Sequence, residues 1–532
     1  MPEKKERGRG LKDIDPAIFW ISLVISTILI IWGAGATDHF GKIIDNIFNF
    51  LVDNFGWFYL LFTMVIFLLV IILGFSRLGK IKLGKPDEEP EYSTRSWIAM
   101  LFSAGMGIGL VFWGVAEPIM HYVTPPFGLE GETEAAALEA GASSFFHWGL
   151  HPWALYAFFG LLLAYFSFRR GLPQLPSSTL YPVLGEKGVK GGWGKAFNII
   201  AVFATLFGIA TSLGLGAQQI NSGLSELAGI AVSDTMASLI VVVITIAFII
   251  SAVTGIDKGI KYLSNINITI GGILLFFVIV FGPTVFILNY TVEATGHYIN
   301  QIVERSFYLG SVSGADWPGW WTIFYWAWWI AWTPFVGGFI ARISRGRTIR
   351  EFVIGVMIIP AIVGIVWFGA MGGTGLHLEL TESANIIDPV HEDIAVAFFV
   401  TLQELPLGGL LSILATILIS TFFITSADSG TFVMGMLTSK GKLEPSTQVK
   451  VTWGIIEGFI AAVLIMAGGL NALQTASIAG AFPFMFFVVV SMFGIFQALN
   501  KDYEMMEKGE FIGEIDIDYG FTDSGEDVDM ES

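Results

Sequence analysis

The chain has 532 residues, 54% of them hydrophobic and only 14% charged, with a mean hydropathy of +0.70. Soluble domains carry about 25% charged residues, so the composition excludes a wholly soluble protein and reads as an integral membrane protein. Cysteine is absent, which excludes disulfides, zinc–thiolate sites and thiol nucleophiles; the net charge of −17 gives no reason to expect a nucleic-acid partner.

Residues 1–16 form a basic N-terminus with Lys4, Lys5, Arg7, Arg9 and Lys12. Twelve apolar stretches follow, each long enough to cross a hydrocarbon core as a helix. They lie near 17–36, 55–75, 97–121, 144–168, 197–227, 235–255, 266–290, 318–341, 352–371, 407–437, 449–469 and 475–498. With the N-terminus cytoplasmic, 26 of the 28 basic residues fall on the inner side, and only Lys42 and Arg305 fall outside. Losing or gaining one span would scramble that asymmetry, so it predicts an all-α protein of twelve spans in a cell membrane, with both termini cytoplasmic. Residues 501–532 hold twelve acidic residues against two lysines. That tail is too charged to fold alone.

The third span contains "GMGIG", with Gly105, Gly107 and Gly109. Helix packing through small residues uses i, i+4 spacing on one face, whereas spacing of two weakens every face of one turn. A locally unwound helix is expected, of the kind that exposes amides and carbonyls to cargo in secondary transporters. The fourth span reads "HWGLHPWALY", with Trp148, Trp153 and Tyr156. They share no narrow helical stripe, and a bend at Pro152 would bring them to one cavity.

The eighth span contains "FYWAWWIAW", with Trp328, Trp329 and Trp332 continuing to the middle of the helix. An interfacial aromatic belt would sit at helix ends. Ring faces gathered in mid-membrane instead suit a cation that donates no hydrogen bond, typically a quaternary ammonium. The tenth span carries "TSADSG", which places Thr425, Ser426 and Asp428 in the membrane beside Phe422. An intramembrane Asp points to function, and hydroxyls with freed carbonyls would form a hard-oxygen cage for Na⁺.

These motifs, in this order over roughly residues 15–500, resemble those of the betaine/carnitine/choline transporter family. The resemblance implies a leucine-transporter-like five-plus-five inverted repeat, residues 97–290 and 318–500, preceded by two extra helices in 17–96 and joined by an amphipathic connector at 291–317. It implies a homotrimer among membrane lipids, without an organic cofactor. It implies a substrate box of Trp148, Trp153, Tyr156 and Trp329, with Trp328 and Trp332 on its path and the glycines of "GMGIG" against it. One sodium site would use carbonyls of Ser103, Met106 and Phe422 with the hydroxyls of Thr425 and Ser426. A second would use fifth-span threonines near Phe335; this chain departs from it, with Ile209 one turn after Thr205. Osmosensing members carry a basic C-terminal segment, and here that segment is acidic.

The expected activity is sodium-coupled import of a compatible solute, with glycine betaine first. Proton-coupled choline transporters of the family carry Asp at the last motif position. Gly109 leaves amides free for a carboxylate, and an Asp there is expected to admit choline instead. Carnitine exchangers lack the sodium ligands. Different-class alternatives are an enzyme, with His147 and His151 at metal-binding spacing but no evident third ligand, and a channel.

Overall fold

The computed structural model describes residues 10–105, 107–254, 257–442 and 444–515. Among these there is no β-strand; a lone bridge pairs Lys82 with Thr348. Among the described residues, nine helical segments are long and apolar enough to cross a membrane. Their outward faces are apolar: Ile31, Phe276 and Phe493 are all largely exposed. A soluble monomer rarely presents so continuous a patch. The protein is multi-pass.

Helix α1 (Pro16–Gly35) starts at an Asp15 cap whose carboxylate accepts from the amides of Ala17 and Ile18. It is followed by α2 (Thr37–Phe75). The expected third span is two helices, α3 (Thr94–Gly105) and α4 (Ile108–Val123), separated at the glycine motif with Gly107 extended. The fourth is α5 (Glu134–Trp148) and α6 (Leu150–Ala164). The bend expected at Pro152 lies at Gly149 instead. A proline in the first turn of a helix is tolerated, and Pro152 occupies that turn.

A short helix, α7 (Tyr181–Lys190), precedes α8 (Gly192–Ala228) and α9 (Asp234–Thr254). The seventh span ends earlier than expected, as α10 (Asp257–Phe281). Gly282 and Pro283 stop it, since proline has no N–H to continue the ladder. Much of the expected connector is therefore helical, as α11 (Thr284–Asn300) and α12 (Ile302–Phe307). The chain continues through α13 (Phe324–Ile343), α14 (Ile349–Leu380), short helices α15 (Ile387–Glu392) and α16 (Ala397–Gln403), and α17 (Gly408–Thr438). Helix α18 (Thr447–Glu507) contains the last two apolar stretches, joined at a kink. There Gly469 has φ +56°, a conformation that needs glycine.

Two contacts place the site. Gly160 of α6 faces Gly337 of α13, and a Cβ on either would stand 3.1 Å from the other's backbone. Small residues let membrane helices approach this closely, and these two helices carry most of the tryptophan and tyrosine rings discussed below. At the end of α18 Arg169 is buried against Asp502, with Nη2 2.7 Å from Oδ1, and Nη1 donates to the Gly84 carbonyl at 2.9 Å. The acidic tail thus begins as folded structure: α18 runs to Glu507, and the Ile515 amide donates to Arg170 O at 2.7 Å. Residues 516–532 lie outside the described residues. Asp502→Ala would leave a buried guanidinium without its counter-charge, a loss of about 3–5 kcal/mol. The expected result is a melting temperature in detergent lowered by several degrees; an unchanged value would show that the pair does not hold the tail.

Candidate substrate site

Rings from α5, α6 and α13 converge on one cavity of about 360 Å³, within the size range of small-ligand sites. Trp329 is central. Its ring lies 4.8 Å from Trp148 at 86° and 5.9 Å from Tyr156 at 87°, and it stacks on Trp328 at 5.2 Å and 17°. Trp153 stands edge-on to Tyr156 at 5.4 Å, and Trp332 meets Trp328 at 6.5 Å. The six aromatic residues expected at the box and its path all line this cavity, with Gly107 and Gly109 at its wall. The break at Gly149 lets Trp148 and Trp153 face the same space from successive helices.

The indoles of Trp329 and Trp148 are held by their N–H groups. Trp329 Nε1 donates to the His147 carbonyl at 3.1 Å, and Trp148 Nε1 donates to Glu117 at 2.8 Å. Glu117 is a buried hub that the motif reading missed. It also accepts from the Tyr325 hydroxyl at 2.6 Å, His147 Nδ1 at 2.7 Å and His121 Nε2 at 3.2 Å. The signal was available, because an acidic residue inside an apolar span is rarely accidental. Glu117, His121 and His147 bring potential metal-ligand atoms within 4.8 Å of one another. Those atoms are engaged in hydrogen bonds: with its proton on Nδ1, His147 satisfies Glu117 and accepts from Thr322 at 2.9 Å through Nε2. The expected His147/His151 pair does not converge, since His151 bonds Ser306 at 2.9 Å and stacks on Trp326.

Among the described residues the cavity runs toward one end of α13. The lining continues along α13 from Trp328 to Arg342 and Gln174, about 20 Å at 1.5 Å per residue. Toward the other end of α13, Trp113, Trp321 and Tyr325 interlock above the box at 5.4–6.3 Å.

Among the expected sodium ligands, Phe422, Thr425 and Ser426 line the same cavity. Helix α17 is unbroken there, contrary to the freed carbonyls expected at "TSADSG". Thr425 Oγ1 donates back to the Thr421 or Phe422 carbonyl and accepts from Asn267 Nδ2 at 3.2 Å. A hydroxyl has two lone pairs, so one remains for a cation. Among the described residues, the break where α4 begins brings Gly107 to the cavity wall with its backbone extended. Gly105 closes α3; Met106 and the side chain of Ser103 lie outside the described residues. Phe335 lines the cavity, whereas Thr205 is buried away from it with its hydroxyl unpartnered.

A family profile described as "BCCT, betaine/carnitine/choline family transporter" matches residues 17–504. The chain belongs to this family. It is a transporter and not an enzyme. It is 49% identical over 497 residues to the "Glycine betaine transporter OpuD" of Bacillus subtilis (strain 168), covering 93% of this chain and 96% of that protein. It is 44% identical to the "Ectoine/hydroxyectoine transporter" of Virgibacillus pantothenticus, over 92% of this chain and 98% of that one. It is 40% identical to the "Ectoine/glycine betaine/proline transporter EctP" of Corynebacterium glutamicum, over 94% and 82% respectively. The transporter's cavity therefore belongs to a family of carriers for small compatible solutes.

Proposed function

We propose that the chain imports glycine betaine by sodium symport with alternating access, using Trp148, Trp153, Tyr156 and Trp329 as the walls around the trimethylammonium group. The observation that carries this reading is the convergence of four ring faces on one cavity, since a quaternary ammonium gains from ring faces and asks for no acceptor. The carboxylate end would meet backbone amides near Gly107 and Gly109, at the N-terminus of α4, where the helix dipole favours negative charge. Ectoine and proline, named for two of the relatives, are the second reading, and one radiolabelled uptake panel in proteoliposomes separates the three. Uptake of none of them would reject the proposal.

In the proposed cycle the cavity reaching Arg342 is the inward-facing arrangement, because Arg342 belongs to the basic, cytoplasmic side. Twelve spans, a five-plus-five repeat behind two extra helices, cytoplasmic termini in the plasma membrane and a homotrimeric assembly complete the proposal. Sodium would enter as co-substrate beside Thr425 and Ser426, each ion adding about 2.3 kcal/mol of drive per 100 mV. Hydrogen-bond-like contacts to a charge are worth about 1.5–3 kcal/mol each. Replacing both hydroxyl residues with alanine is therefore expected to raise the half-saturating Na⁺ concentration at least about tenfold while the protein still folds. Equal wild-type uptake in Na⁺ and in K⁺ buffer would remove sodium from the mechanism.

A further inference from the structure

Glu457 lies near the middle of the first apolar half of α18, with none of its surface exposed and neither carboxyl oxygen hydrogen-bonded. An ionised carboxylate so placed costs several kcal/mol or more, a penalty the fold would avoid by keeping a proton or a cation on it. Its setting is specific. The carboxyl sits against bare backbone at Gly430 of α17, where a Cβ would stand 3.1 and 3.4 Å from its two oxygens and 2.5 Å from Ile209 Cδ1. Gly430 follows Asp428 and Ser429, which line the cavity. Only one layer of helix α17 therefore separates the buried carboxyl from the transport pathway.

Among the described residues the surroundings offer no counter-charge. Helix α8 presents Ile209 there, and between Lys195 and Glu226, near its two ends, it holds no ionisable residue. Helix α9 presents Phe248 and Thr245 to Gly454 and Gly458, the neighbours of Glu457, and its one acidic residue, Asp234, lies by the Gly469 kink. Helix α1 holds no ionisable residue, α2 from residue 54 to 75 holds only Tyr59, whose hydroxyl donates to the Ile478 carbonyl at 2.7 Å, and Arg342 of α13 lies at the far inner end of that helix. The charged group that acts on Glu457 is Asp428, which is itself engaged elsewhere and is of like sign.

We propose that Glu457 is a proton-binding site of the transport cycle: it carries a proton while α17 and α18 are packed as seen here, and it loses that proton to the cavity only when the two helices part at Gly430. The chemistry balances as a single O–H bond broken and remade, with water in the cavity as the base. The proton adds to the proposed sodium coupling and does not depend on which solute is carried.

The test is infrared difference spectroscopy on the reconstituted full chain between acidic and alkaline buffer, wild type against Glu457→Gln. A protonated-carboxyl carbonyl band is expected in the wild type and should be missing from the variant, whose amide mimics the neutral acid. Uptake by the wild type should fall at alkaline pH by up to about tenfold per unit, the slope of one proton, and Glu457→Gln should lose that pH dependence. An identical carbonyl band in both proteins would overturn the proposal, and so would an unchanged pH profile. A band that bleaches when Na⁺ replaces K⁺ at fixed pH would show that the group holds sodium and not a proton, which also overturns it. The spectroscopic arm needs no transport, so it can succeed even where the betaine assignment fails. If Glu457→Gln does not fold, Glu457→Asp should keep a band at shifted frequency, and its absence there counts against the proposal.

Discussion

Trp329→Ala is expected to abolish betaine uptake at micromolar substrate, while Trp329→Phe retains a weakened fraction and Trp329→Leu behaves like alanine. The ring meets Trp148, Tyr156 and Trp328 at 4.8–5.9 Å, so it is both a wall of the cavity and the piece that orients the other walls. A desolvated cation–π contact is worth about 2 kcal/mol or more. At 1.4 kcal/mol per tenfold, its loss weakens binding about 30-fold before any rearrangement of neighbours is counted. Phenylalanine keeps a smaller π face in the same direction, and leucine keeps volume without one. Equal half-saturating betaine concentrations for the Phe and Leu variants would show that the position only packs.

The aromatic box was legible because its signal is dense: four tryptophans and a tyrosine in nine positions admit few structural explanations. The break at "GMGIG" was legible for a similar reason, since glycine at successive second positions undermines a helix locally. Interactions made across large sequence separations were not. Arg305 stood out only as a basic residue on the wrong side; in the fold it is buried and bidentate to Glu139 at 2.5 and 2.7 Å, so its charge is cancelled. Glu117 and Glu457 each interrupt an apolar stretch and could have been marked as intramembrane acids, whereas Glu139 precedes the expected fourth span. What each one does depends on partners that no local window contains: four donors for Glu117, an arginine for Glu139 and none for Glu457. The continuity of α17 escaped for the opposite reason. Hydroxyls at Thr425 and Ser426 suggested an interruption, yet Thr425 bonds back into its own helix, as such side chains commonly do.

Gly109→Ala is expected to cost most of the uptake, and Gly109→Asp is expected to lose betaine without gaining choline. The second outcome reverses what charge complementarity alone suggested from the sequence. A Cβ at position 109 would stand 2.5 Å from Trp328 Cη2 and 3.0 Å from Trp148 Cη2. Neither ring can simply swing aside: Trp328 is stacked between Phe324 at 5.6 Å and Trp329 at 5.2 Å, and Trp148 is tied to Glu117 through its indole N–H. Sterics therefore act before electrostatics, and any side chain here displaces two walls of the box. Overpacking of this kind costs about 1–3 kcal/mol, which corresponds to about 5- to 150-fold in affinity. The rings named by the clash also supply its control. Trp328→Phe removes the outer ring atoms that the new methyl would strike, so Gly109→Ala with Trp328→Phe should recover part of the binding that Gly109→Ala loses. A double-mutant cycle on betaine-induced tryptophan fluorescence quenching measures that coupling. Additive losses would mean that Gly109 does not act through Trp328. A Gly109→Asp protein that elutes as a folded species and takes up choline would show that the rings yield, returning substrate choice at this position to charge.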